Sequence, residues 1–297
     1  MFVDAIEKVT KFTRPFMSIY RVYGETVAKP NCATFIIVND EGWILTCKHV
    51  AEQFITATQV NKKYDDFKNE LAALSKGKHY KTQVRELEKK YNYARNKNIL
   101  IQQQDRFMGV VDKSTGYQWH LHKDYDIALI RFDGFNKVLT NEFPKFAKDS
   151  SVLKQGKSLC RLGYPYPEFN NFRYDETKDD IEWTDDGRTS TPLFPIDGIL
   201  TRFGVDAQCK RYEIELSTPG LRGQSGGPLF DENGVVYGVQ ARTIFQHLGF
   251  DVEDEEITVN GKTKKVDNYP FMHLGRCIHV DIIKEFMDEH GVKYQVG

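Results

Sequence analysis

The stretch GQSGGPLFDENGVVYGVQ, residues 223–240, decides how the rest of the chain is read. Its opening GQSGG satisfies G-x-S-x-G, the pattern of a nucleophile held on a sharp turn between a strand and a helix. The residues after it contradict that plan. Pro228 and the apolar pair Leu229-Phe230 lead into a turn at Asp231-Glu232-Asn233-Gly234, and then into the β-rich run VVYGVQ. That is strand, tight turn, strand, with no helix. Ser225 is therefore read as a serine in a glycine-rich turn that feeds a β-hairpin.

Working outward, the same signals recur. FMSIYRVYG and ATFIIVNDEGWILTCKHV read as strands, the second as two runs around Asn39-Asp40-Glu41-Gly42. Further β-branched and aromatic runs are NILIQQQ, DIALIRF, SLCRLGYP, GILTRFG, RYEIELS and MHLGRCIHV. Many short strands separated by turn signals predict an all-β protein, a sandwich or a barrel. Helices are expected in three places. Asp4 with Glu7 reads as a capping box for a short N-terminal helix ending before Pro15. VDIIKEFMDEHGV is amphipathic and ends at Gly291, a C-cap residue. Residues 61–98 carry two heptad seams, Tyr64/Phe67/Leu71/Leu74 and Tyr80/Val84/Leu87/Tyr91/Ala94, broken at Ser75-Lys76-Gly77. They predict an antiparallel helical hairpin that closes its apolar seam on itself.

The 297 residues carry a formal net charge of −1, which gives no overall pull toward nucleic acid or an anionic membrane. Charge is concentrated locally. The hairpin 61–98 holds 11 Lys/Arg against 5 Asp/Glu, whereas 175–186 holds 7 acids against Lys178. An internal contact between these two segments is one expectation; a docking arm for a partner or nucleic acid is another. DVEDEE at 251–256 adds acid before a small hairpin predicted to turn at Asn260-Gly261. No apolar run is long enough to span a membrane, and no secretory leader is read at the N-terminus. Five cysteines without a CxxC pair predict reduced thiols and a cytoplasmic location. GKS at 156–158 lacks the glycine of a phosphate loop. His120 and His122 share one strand face but have no third ligand nearby, so neither a metal nor another cofactor is expected.

Nucleophilic serine chemistry requires a base to take the hydroxyl proton and a buried carboxylate to hold the base's tautomer. LTCKHV offers His49, and DYDIALIRF offers Asp126, with Asp124 as a rival two residues upstream. The chain order His, Asp, Ser is that of chymotrypsin-type enzymes. Through GWILTCKHV, DYDIALIRF, LGYP, DGILTRFG and LRGQSGGPLFDENGVVYGV the chain resembles the trypsin-like serine peptidases, and within them the HtrA-like branch.

That resemblance implies two six-stranded antiparallel β-barrels with the site in the cleft between them. One would span 1–140 with the helical insertion at 61–98. The other would span 141–297 with an acidic loop at 168–195, an inserted hairpin at 251–268 and the terminal helix, with no PDZ domain after it. The resemblance implies His49 as base, Asp126 as orienting acid, Ser225 as nucleophile, and an oxyanion hole from the N–H groups of Gly223 and Ser225. It places a substrate pocket at Pro219, Gly220, Ala241, Arg242, Thr243 and Gly275. No acid is among them, so an apolar or small substrate side chain is expected, with an acidic one left open by Arg222 and Arg242. Two departures stand out. CATF at 32–35 replaces the family's Gly-x-Gly-Phe, and Gln224 stands where zymogens use an Asp, so activation by cleavage is not expected. The implied function is a serine endopeptidase acting on protein or peptide substrates. The alternative is a dormant or regulated scaffold whose basic hairpin, 61–98, binds a partner protein or nucleic acid. No membrane partner is expected, and nucleic acid is the weaker partner reading, because no recognised nucleic-acid motif accompanies the basic hairpin.

Overall fold

The computed structural model describes residues 2–95 and 97–297. Helix α1 (Val3–Thr10) opens the chain, buries Ala5 and Val9, and leads into β1 (Thr13–Val22). The capping box does not form. Phe2 occupies the cap position, and Asp4 lies inside the first turn, where its charge faces the positive end of the helix.

Strands β2 (Lys29–Ile37) and β3 (Trp43–Thr46) come next as a hairpin, with Ile36 opposite Leu45. Helices α2 (Lys48–Ala72) and α3 (Tyr80–Tyr91) interrupt the strands before β4 (Leu100–Phe107), β5 (Gly116–Leu121) and β6 (Ala128–Asp133). The six strands form one antiparallel sheet in the order β4-β1-β2-β3-β6-β5, with β4 and β5 as its edges.

The helical insertion differs from the predicted span of 61–98. Its first helix starts at Lys48, directly after β3, and its second ends at Tyr91, with Asn92 in the left-handed cap conformation and Ala94 beyond it. Nor does the seam close only on itself. Tyr64, Phe67 and Leu87 pack with Tyr23, Tyr93 and Ile101, so the hairpin is sealed onto β4 and the turn that follows β1. The rings of Tyr23 and Tyr93 stack at 4.8 Å.

The second sheet begins with the two-residue β7 (Lys145–Phe146) and with β8 (Ser158–Gly163). The acidic segment contains a hairpin that its sequence pattern did not predict, β9 (Phe172–Asp175) with β10 (Asp180–Trp183). Then come β11 (Phe194–Val205), β12 (Arg211–Leu216), β13 (Pro228–Phe230) and β14 (Val235–His247). The pair β15 (Val252–Val259) and β16 (Lys262–Asn268) turns at Asn260 and Gly261, both with positive φ. Strand β17 (Phe271–His279), helix α4 (Val280–Glu289) and β18 (Gln295–Val296) end the chain. Because β13 pairs with both β8 and β14, the ring β13-β8-β11-β12-β17-β14 closes into a barrel. The architecture is the mainly-β double-barrel class that the sequence predicts. One continuous apolar core, including Phe35, Ile44, Leu129, Leu162 and Val239, runs through both sheets. No helix among the described residues is long and apolar enough to cross a membrane.

The basic hairpin and the acidic segment do meet, but not through the hairpin's lysines. Asp179 takes hydrogen bonds from Tyr64 Oη of α2 and from Tyr174 Oη, each at 2.7 Å, and pairs with the buried Arg21 of β1 at 2.7 Å. Among the described residues no Lys or Arg of 61–98 forms an ion pair with 175–186.

Asp105 on β4 is held largely out of water, and burial pushes its carboxyl pKa up to about 6, against the hydrogen bonds it takes from Gln103 Nε2. An unfolded Asp titrates near 3.9, so the fold favours the protonated form. This contribution is complete below about pH 4 and is lost as the pH rises through 6. Asp105→Asn is expected to raise stability by about 1–3 kcal/mol at pH 7–8 and to change it little at pH 4, read from thermal unfolding at both pH values.

Candidate active site

His49 does not stand on a strand. Strand β3 ends at Thr46, Cys47 takes the extended N-cap position, and His49 lies in the first turn of α2. First-turn amides have no partner within their own helix. Asp126, just before β6, supplies one. Its Oδ1 accepts from the His49 backbone N–H at 3.0 Å, and its Oδ2 pairs with His49 Nδ1 at 2.8 Å. The helix N-terminus further favours a carboxylate there. Desolvation raises the Asp126 pKa, but the hydrogen bonds and charge of His49 outweigh it and hold the carboxyl below its usual range. A proton on Nδ1 facing this carboxylate leaves Nε2 as an acceptor. The Asp126 side chain is 33% exposed, less buried than the chemistry suggests.

The rival Asp124 takes no hydrogen bond from His49; its own amide donates to His122 Nδ1. His120 and His122 have separate partners. His120 stacks on His290, and His122 packs against Phe286.

Ser225 lies in the turn between β12 and β13, and its Oγ donates to the Ala241 carbonyl at 3.3 Å. Ala241 is the residue skipped by a bulge in the β14–β17 pairing, which turns its carbonyl toward the serine. Ser225 and His49 share no hydrogen bond, but both line one cavity of about 170 Å³ with Gly223 and Arg222. The backbone N–H groups of Gly223 and Ser225 have no acceptor among the described residues.

The turn is held from three sides. Gly223 has φ +100, and a Cβ there would lie 2.5 Å from the Tyr164 carbonyl oxygen, so no other residue fits without moving the peptide. Thr34 Oγ1, from the divergent CATF segment, donates to the Gly223 carbonyl at 2.8 Å, and the Thr34 N–H donates to the Ser225 carbonyl at 2.9 Å. Gln224 is fully buried. Its Oε1 accepts from Leu221 N–H and its Nε2 donates to the Phe194 carbonyl, both at 3.0 Å. Cys47 Sγ bonds the Gln240 carbonyl at 3.1 Å across the two sheets, and burial keeps it a neutral thiol. All five cysteines are free thiols, four of them buried.

These elements, a histidine–carboxylate pair and a serine turn with two open amides, face one another where the two sheets meet. A family model described as a trypsin-like peptidase domain matches residues 33–239, which contain all of them. The chain belongs to the trypsin-like peptidase domain family. Among solved structures it is similar to an HtrA-type protease with a decapeptide, at 12% identity and TM-score 0.47, covering 100% of this chain and 68% of that one. It is also similar to an HtrA-type protease with a tripeptide, at 13% identity and TM-score 0.46, covering 98% and 65%. The chain thus spans about two thirds of the length of those structures. No curated protein matches it.

Beside the serine turn of this trypsin-like peptidase domain opens a second cavity of about 420 Å³. Pro219, Gly220, Ala241, Arg242 and Thr243 line it, as does Arg222. Gly275 does not. The place its side chain would take is filled by the Arg161 guanidinium, whose Nη1 lies 2.0 Å from where a Cβ would be. Sequence reasoning missed Thr34, Gln240 and Arg161, and it noted Gln224 only as a departure from the zymogen pattern. The only signal was that Thr34 and Gln224 stand where the family pattern is broken.

Proposed function

We propose that this chain is a serine endopeptidase in which His49 is the general base, Asp126 its orienting acid and Ser225 the nucleophile. The observation that carries the reading is the His49–Asp126 pair, joined at 2.8 Å and facing a cavity shared with Ser225 and Gly223. In the reaction Ser225 Oγ turns from Ala241 toward His49, gives its proton to Nε2 and bonds the substrate carbonyl carbon. The carbonyl oxygen takes the negative charge and accepts the N–H groups of Gly223 and Ser225. The imidazolium, stabilised by Asp126, protonates the departing amine as the C–N bond breaks. A water activated by the same imidazole then hydrolyses the acyl-enzyme.

The hydroxyl's bond to Ala241 is the observation that favours the alternative, a dormant scaffold. A fluorophosphonate probe separates the two. It is expected to label the native chain at Ser225, read by peptide mass mapping, and not to label Ser225→Ala or His49→Ala. A folded native chain that takes no label under any condition would establish the scaffold reading.

A further inference from the structure

Behind Gln240, in the wall of the pocket beside Ser225, lies a buried cation that forms no ion pair among the described residues. Arg161, from β8, is fully buried and forms no salt bridge among the described residues. Its Nη1 donates to Gln240 Oε1 at 2.9 Å, and its Nη2 to Thr218 Oγ1 at 2.6 Å and the Thr218 carbonyl at 3.1 Å. Its Nε has no partner among the described residues. Glu213 and Glu215 are shared among Arg202, Arg242 and Arg276, and Asp197 is near enough to act on the Arg161 charge but forms no ion pair with it. A guanidinium removed from water with no carboxylate in contact carries a desolvation cost that a further anion nearby would offset.

Gln240 relays this charge to the pocket. With Oε1 held by Arg161, its amide must present Nε2 outward, and Nε2 lies 2.2 Å from where a Gly220 Cβ would be, on the pocket wall. One of its two N–H bonds goes to the Arg242 carbonyl at 2.9 Å; the other has no acceptor among the described residues. At the mouth stand Arg222, which makes no ion pair among the described residues, and His273. No carboxylate among the described residues lines the cavity.

We propose that this pocket accepts an acidic side chain, so that the chain cleaves after Glu or Asp, with Gln240 and Arg161 as the specificity-determining residues. Of the two classes the sequence left open, this takes the acidic side chain over the apolar or small one. It rests on the proposed nucleophile at Ser225 only for the cleavage step, since the pocket's charge preference is a binding property. A carboxylate accepting the free Gln240 N–H would sit roughly 7 Å from the guanidinium. At an effective dielectric of about 20 that attraction is worth about 10- to 100-fold in affinity.

The test uses internally quenched peptide pools, randomised except for one position held as Glu, Asp, Leu, Ala or Lys. Pools of N-acetyl peptides ending in Glu, Leu or Lys are titrated calorimetrically into the Ser225→Ala chain. Glu and Asp are expected to exceed Leu and Ala by about 10- to 100-fold in kcat/KM, and Glu-ended peptides to bind correspondingly tighter. Arg161→Met is expected to erase the preference. Gln240→Glu, equal in size and placed to pair with Arg161, is expected to weaken it without opening a cavity. A chain that takes the fluorophosphonate label but favours Leu or Lys overturns this inference and leaves the hydrolase reading intact. A chain that takes no label overturns the hydrolase reading, and the titrations still decide the pocket: equal binding of the three endings overturns it.

Discussion

Asp126→Asn is expected to lower kcat by about 10⁴-fold while the chain stays folded. One oxygen of Asp126 accepts the His49 backbone N–H and the other faces Nδ1. An Asn can keep the first bond through its own oxygen, so the helix end stays capped. Its NH₂ then faces Nδ1 and forces that nitrogen to accept, which moves the ring proton to Nε2. The base is thereby lost without loss of packing. The carboxyl that is removed is one whose pKa the site holds below the ordinary range, so it is ionised throughout neutral pH and higher pH cannot restore the variant. Steady-state kinetics at pH 7–9 with a matched thermal-unfolding measurement check this. A loss under tenfold in a folded variant would remove Asp126 from the mechanism.

Gly223→Ala is expected to cost about 10²- to 10³-fold in kcat with little change in KM. Residue 223 has φ +100, and an added Cβ would meet the Tyr164 carbonyl oxygen at 2.5 Å and Pro165 Cα at 2.9 Å. Relief requires the 222–223 peptide to rotate, which carries its N–H away from the cavity. The oxyanion would then keep only the Ser225 N–H. Because that donor acts where charge develops in the transition state, the loss falls on kcat. A rise in KM with kcat preserved would show that this amide does not serve the reaction.

Most of the strands and all three members of the proposed triad were legible because each lies in a short local pattern. LTCKHV, DYDIALIRF and GQSGGP carry their signal within a few residues, and the alternation of VVYGVQ separated a hairpin from a helix. The helical insertion was legible only in part. The Tyr64/Phe67/Leu71 seam showed a helix, but the start at Lys48 was hidden, since residues 48–60 lack a clean heptad and the helix there is held by its packing against β4, β5 and β6. The β9–β10 hairpin was masked by its acids; it is set by Asp179, which turns with φ 50 and docks on Arg21, Tyr64 and Tyr174.

By itself the sequence determined an all-β fold, because strand periodicity and turn residues are properties of neighbours along the chain, and its local motifs carried the family resemblance that implied two barrels and the candidate chemistry. The tertiary structure decided which carboxylate reaches His49, that Thr34 and Gln224 brace the serine turn, and that Arg161 holds Gln240 in the pocket wall. Those contacts join residues up to 189 positions apart, as between Thr34 and Gly223. No local pattern encodes them; they exist only once the two sheets pack together and force polar groups deprived of water to find one another.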